Sequence, residues 1–203
     1  MTLRTLKSAL IAAVLGLSVT ACAVIPEAPV GAYQVGTGYQ VTLVQPWNDI
    51  SGIMNARPAK VRLLSLDGPL LNRLYLTDGL VPGDFMVKPQ SKERPTPVYR
   101  AGMSASERVE FVSDSVAALD YRQVETKALR PGKFATHNAL RFDLTAQTSE
   151  GLNISGTAVI TEFNSKAYVL IFLAPSEHYF AAQLPEVEAI IASILQISLL
   201  REH

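Results

Sequence analysis

Cysteine is nearly absent: Cys22 is the only one in 203 residues. That excludes an intrachain disulfide framework and any multi-cysteine metal knot. Histidine is scarce, with only His137, His178 and His203, and Trp47 is the sole tryptophan. Net charge is missing as well, because 18 Lys and Arg balance 18 Asp and Glu. Nucleic-acid binding needs a basic surface to neutralise phosphates, so no nucleic-acid partner is expected. What the chain does have is 48% apolar residues against 18% charged, the composition of a packed protein rather than a disordered one. At roughly 150 residues per domain, the length fits one domain with an appendage.

The appendage is at the start. Arg4 and Lys7 make a short positive segment, and residues 9–19 follow without a charge. Small residues, Thr20 and Ala21, come next. This is the three-part layout of a secretory signal peptide, and its apolar stretch falls well short of the roughly 20 residues that span a bilayer.

The segment closes on Val19-Thr20-Ala21-Cys22. This tetrapeptide resembles the lipobox of bacterial lipoproteins: a branched apolar residue, two small residues and an obligatory Cys. The resemblance implies that residues 1–21 are removed, that the Cys22 thiol receives a diacylglycerol, and that the new amine is acylated. Two or more acyl chains make a stable anchor where one is marginal. Ala23, rather than Asp, follows Cys22. In the enterobacterial version of the family this implies the outer membrane, facing the periplasm. Losing Arg4 and Lys7 leaves a mature chain with two more acidic than basic side chains.

Residues 22–38 are expected to be the lipidated Cys and a flexible tether, since they hold two prolines and three glycines without a period. A single domain is expected over 39–198. Candidate strands lie at 39–44, 60–66 and 71–76, with Asp67-Gly68 and Asp78-Gly79 as turn signals. Ser104 and Glu107 form a capping-box pattern ahead of Val109, Val112, Val116 and Leu119, which predicts a helix over 105–119. Strands follow at 122–129, 140–145 and 152–163, the first closed by a turn at Arg130-Pro131-Gly132-Lys133. Residues 168–173 are apolar throughout, as a strand covered on both faces requires. Pro185 suits the first turn of a final helix, with Glu186 and Glu188 near its positive end.

The fold class this predicts is α+β: an antiparallel β-sheet with helices packed on both faces. Residues 104–196 resemble the PsbP-like α/β/α sandwich in the capped helix from Ser104, the Leu140-Arg141-Phe142 strand, the Tyr168-Val169-Leu170-Ile171 strand and the helix ending Ile191-Ala192-Ser193-Ile194. Members of that fold group mostly act as accessory, assembly or binding proteins, so the resemblance implies a non-enzymatic role. Trp47-Asn48-Asp49 and Leu64-Ser65-Leu66-Asp67-Gly68 are also similar to the opening of certain uncharacterised bacterial lipoproteins, from which no activity transfers.

The sequence carries little chemistry. There is no His-Glu-x-x-His, no Gly-x-Ser-x-Gly and no phosphate loop around Pro131-Gly132-Lys133. Ser176 lies two residues from His178, and Asp67, Asp78 and Asp84 stand near glycines where Asp commonly makes turns. Trp47 reads as a rim-of-core anchor or, alternatively, a partner contact. Tyr179 and Phe180 could line a pocket beside the last helix or simply pack it. No catalytic residue, metal or cofactor is expected; Cys22 is the single functional residue. The expected function is a lipid-anchored envelope protein acting as an accessory or interaction module, with the membrane and an envelope protein as partners. The alternative is a periplasmic module for a small apolar molecule or lipid. A hydrolase using Ser176 or an Asp pair ranks third.

Overall fold

A computed structural model describes residues 25–54 and 57–196. Cys22, the leader before it and His203 lie outside the described residues. The elements in chain order are β1 (Glu27–Ala28), β2 (Gly31–Val35), β3 (Tyr39–Leu43), β4 (Trp47–Asp49), a 3-10 turn (Ile50–Gly52), β5 (Val61–Ser65), β6 (Arg73–Thr77), α1 (Ala105–Ala117), β7 (Arg122–Phe134), β8 (His137–Gln147), β9 (Asn153–Phe163), β10 (Lys166–Pro175), α2 (Tyr179–Ala192) and β11 (Leu195–Gln196). Eight strands form one sheet in the order β1-β4-β5-β6-β10-β9-β8-β7, and three form a second in the order β11-β3-β2. Every strand pairing among the described residues is antiparallel.

β10 lies between β6 and β9 and is buried from Ala167 onward. Successive side chains point to opposite faces of a strand. Val169, Ile171 and Leu173 therefore enter one core with Phe111, Val112 and Val116 of α1. Tyr168, Leu170, Phe172 and Ala174 enter a second core with Val187, Ile190 and Ile191 of α2. The unbroken apolar run has a cause: neither face of this strand meets water. The two-residue turn before it, Asn164-Ser165, has φ of 51° and 56°, the left-handed pair that a tight hairpin needs.

The α/β/α sandwich expected from the sequence is corrected. Strand makes up 43% of the described residues and helix 18%, so β-structure dominates. The second core is closed mainly by the three-stranded sheet, through Val35, Tyr39, Val41 and Leu43, with α2 beside it. The first core is closed by α1 and by an irregular run that buries Leu80, Met86, Val87 and Tyr99. Helices do not form a layer over each face; they share that work with a second sheet and a long loop.

Strand β2 of the extra sheet, and β1 of the large one, lie in the segment read as a tether. From residue 27 on, the chain is folded: Ala28 pairs with Trp47, and β2 pairs along its length with β3. The prolines and glycines here end short strands. The helix at 105–119 is found as Ala105–Ala117 with its capping box intact: Ser104 Oγ accepts from the Glu107 N–H, and Glu107 accepts from the Ser104 N–H at 2.8 Å. Two proline assignments change. Pro131 sits inside β7, opposite Leu140, because β7 is the sheet's outer strand and its missing donor leaves no neighbour unpaired. Pro185 sits inside α2, which begins six residues earlier at Tyr179. Glu186 and Glu188 therefore do not serve the helix N-terminus. Glu186 accepts from the Val44 N–H and Trp47 Nε1, both at 3.3 Å, and Glu188 pairs with Arg141.

Gly156 on β9 shows how closely side chain and backbone of the neighbouring strand β10 approach it. A Cβ there would stand 2.6 Å from Leu173 Cδ2 and 2.9 Å from the Phe172 carbonyl oxygen. Gly156→Ala is predicted to destabilise the fold by about 1–3 kcal/mol through overpacking. Urea unfolding should show a lower midpoint with an unchanged slope; an unaltered midpoint would contradict this packing.

Candidate functional site

A chemically mixed cleft lies where the entry to β5 meets the loop after β6. It encloses about 370 Å³. Half-buried Phe85 supplies apolar lining over the fully buried Leu80, and Arg57, Lys60, Lys88 and Asp84 supply charge. Lys60 Nζ lies 2.7 Å from Asp84 Oδ2, which also accepts from the Val81 N–H at 2.8 Å. That pair fixes the loop to the sheet. The Arg57 guanidinium ties down backbone, donating from Nε to the Ser51 carbonyl at 2.8 Å and from a terminal nitrogen to the Pro58 carbonyl at 3.1 Å. Lys88 is exposed and has no carboxylate within ion-pair distance among the described residues. Three cations thus surround one carboxylate above an apolar floor. Such a cleft suits an anionic group attached to an apolar body. Among the described residues, its lining contains no Ser, Thr, Cys or His.

A second arrangement braces the first strands. Tyr33 Oη donates to Asp49 Oδ2 at 2.8 Å, and the Ser51 N–H donates to Asp49 Oδ1 at 2.9 Å. Burial pushes the Asp49 carboxyl up, but the bonds from Ser51 and Tyr33 outweigh it and hold the group below its ordinary value. The Tyr33 phenol moves the other way, raised by burial first and by the neighbouring Asp49 second. The Tyr39 hydroxyl is buried without a partner among the described residues, and burial raises that phenol well above its usual range.

The residues singled out from the sequence are dispersed. Ser176 Oγ bonds Ser155 Oγ at 2.8 Å, while His178 is exposed and packs edge-on against Tyr179. They do not form a hydrogen-bonded nucleophile and base. Asp67 accepts from Asn72 at 2.7 Å, Asp78 accepts from the N–H groups of Thr37 and Gly38, and Asp84 holds Lys60. Each carboxylate is engaged with its own separate set of partners. Trp47 is completely buried with its ring nitrogen on Glu186, an anchor and not a surface contact. Tyr179 and Phe180 pack against the second core, Phe180 stacking on Phe172 at 5.9 Å. His137 stacks on Phe163 at 3.9 Å and bonds Gln196 through Nε2. Lys133 bonds Asn138 on the paired strand. The cleft was invisible in the sequence, because its charges come from separated loops and match no motif. Tyr33 and Asp49 were missed because each reads as an isolated polar residue.

No family model matches the chain, and no curated protein matches it. Among solved structures, the chain is similar to the Ran-binding protein Mog1p of Saccharomyces cerevisiae, with a TM-score of 0.48 and 8% identity over 85% of this chain and 96% of that one. At that level the likeness supports no conclusion about fold or function.

Asp49 yields a pH dependence. A carboxyl held below its ordinary value adds stability above an unfolded value of about 3.9, and that contribution is lost as pH falls through the lower folded value. Asp49→Asn should therefore be less stable than the parent at pH 7, with the gap closing below about pH 4. Urea midpoints at both pH values test this; a gap that does not change with pH would contradict it.

Proposed function

We propose that this protein is a lipid-anchored component of the bacterial cell envelope, held by acylated Cys22 in the outer membrane with its domain in the periplasm. There it works without catalysis, as an accessory or interaction module for another envelope protein. The observation that carries this is Val19-Thr20-Ala21-Cys22 directly behind a charged-then-apolar leader. The fold is consistent with a tethered module: strand β1 begins five residues after Cys22. The separation of Ser176 Oγ from any histidine partner, and of the three turn aspartates from one another, lends the hydrolase no support.

Membrane fractionation tests the anchor. Cys22→Ala should leave an uncleaved or mislocalised product, while the parent sediments with the outer membrane. A Cys22→Ala protein that fractionates like the parent would remove the anchor. In-cell crosslinking of the parent followed by mass spectrometry tests the module, with one defined envelope protein as the expected result.

The cationic cleft favours a second function, binding of a small anionic amphiphile above Leu80 and Phe85. Native mass spectrometry of gently extracted protein should then show a bound species of defined mass. Lys88→Glu should reduce its occupancy several-fold; an equal occupancy would rule the cleft out as its seat.

A further inference from the structure

We propose that the β1 edge of the large sheet lies directly on the bilayer, with Ile25, Val30, Val44 and Ile53 as its apolar contacts. This rests on the acylation of Cys22 proposed above.

Chain length sets the geometry. Ile25 is three residues from Cys22, and Glu27 is five. A fully extended chain covers at most about 3.6 Å per residue, so Ile25 lies within roughly 11 Å of an acylated Cys22 and Glu27 within roughly 18 Å. The headgroup layer itself takes up about 5–7 Å on each side of the hydrocarbon. Little length remains to lift the domain away. Because β1 is already paired with β4 at Ala28 and Trp47, the slack cannot be extended by unravelling a tether.

The surface at this place is unusual for a protein edge. Among the described residues, the large apolar side chains that remain exposed include Ile25 at 40%, Val30 at 61%, Val44 at 58% and Ile53 at 42%. Ile25 and Val30 flank β1 in the chain, and Val44 and Ile53 flank its partner β4; the other exposed large apolar residues, Leu70 at 82% among them, lie elsewhere. Ile25 precedes Pro26, whose carbonyl accepts from the Asp49 N–H at 2.8 Å. Val30 and Val44 flank the paired residues Gly31 and Leu43. Ile53 closes the 3-10 turn that follows β4.

The two edges of the sheet differ in charge, although the β7 edge also exposes Leu129 at 55% and the β1 edge is itself blunted by its two-residue length and by Pro26 and Pro29. Exposed edges are normally blunted by charge, proline and bulges. The β7 edge has all three: Arg122, Glu125, Lys127 and Lys133 are exposed, Pro131 sits in the strand, and the register shifts twice. The β1 edge carries Glu27 as its only charged strand residue. Apolar side chains and a short strand suit an interface with lipid, where shallow insertion of a few Val and Ile side chains adds to the acyl anchor. The sheet then stands with its strand order running away from the membrane. At about 4.8 Å per strand, the charged β7 edge lies roughly 30 Å out in the periplasm.

The test uses full-length lipidated protein in phosphatidylethanolamine and phosphatidylglycerol vesicles. Cys22 is the only cysteine, so once it is acylated an introduced thiol is unique. Val30→Cys, Val44→Cys and, as the distal reference, Leu129→Cys are each labelled with a fluorophore. Quenching by lipids bearing a nitroxide just below the headgroup should be at least five-fold stronger at positions 30 and 44 than at 129. Equal quenching at all three positions overturns the orientation. Labels at 30 and 44 that are shielded from iodide but untouched by the lipid nitroxide also overturn it, because a protein then covers the patch. Incorporation of an alkynyl fatty acid is measured in parallel. Absence of that label at Cys22 removes the anchor and the orientation together, whereas acylated protein with uniform quenching removes the orientation alone.

Discussion

Everything in this fold hangs on β10 being dry on both sides. A strand that presents Val169, Ile171 and Leu173 to one core and Leu170, Phe172 and Ala174 to another needs two complete covers. The gain is large, since burying a Val, Leu, Ile or Phe side chain is worth about 1.5–3 kcal/mol. Two helices cannot supply both covers alone. The chain therefore recruits β2 and β3 on one side and the run containing Leu80, Met86 and Tyr99 on the other. One demand at the centre of the sheet dictates what happens at both ends of the domain.

The recruited pieces are held by polar clamps. Asp78, just after β6, accepts from the N–H groups of Thr37 and Gly38 and so pins the β2–β3 turn. Gly36 is needed there: it has a φ of 58°, and a Cβ would fall 1.8 Å from Asp78 Oδ2. Glu186 joins α2 to Val44 and Trp47, and Ser193 Oγ accepts from the Thr42 N–H at 2.8 Å. The same clamps carry the functional consequence. They fold the chain from residue 27 onward, so the domain starts close to Cys22 instead of beyond a long tether. Under the acylation of Cys22 proposed above, such a module has a restricted reach, and its proposed partner would meet it near the membrane.

Parts of this were legible in the residues. The unbroken apolar run at 168–173 announces a strand with no wet face, and Ser104 with Glu107 announces a capped helix, because both signals are local. The segment 27–38 was misread because Pro26, Pro29, Gly31, Gly36 and Gly38 look the same whether they loosen a tether or end short strands; only burial of Ala28 and Val35 by distant elements separates the two. Pro131 and Pro185 were misplaced for a related reason. Edge position excuses one, and packing of Tyr179 and Phe180 ahead of it carries α2 past the other. On the functional side, the proposed role of Cys22 rests on a local pattern, Val19-Thr20-Ala21-Cys22, that needs no fold to be read. The cleft between Lys60 and Lys88 exists only after folding brings two loops together.

The central claim is covalent, and intact mass spectrometry of the protein extracted from its native membrane tests it most directly. The account predicts a chain that begins at Cys22 and carries the added mass of a diacylglyceryl group and an N-acyl chain. A chain that begins at another residue, or one that carries an unmodified Cys22, would contradict it.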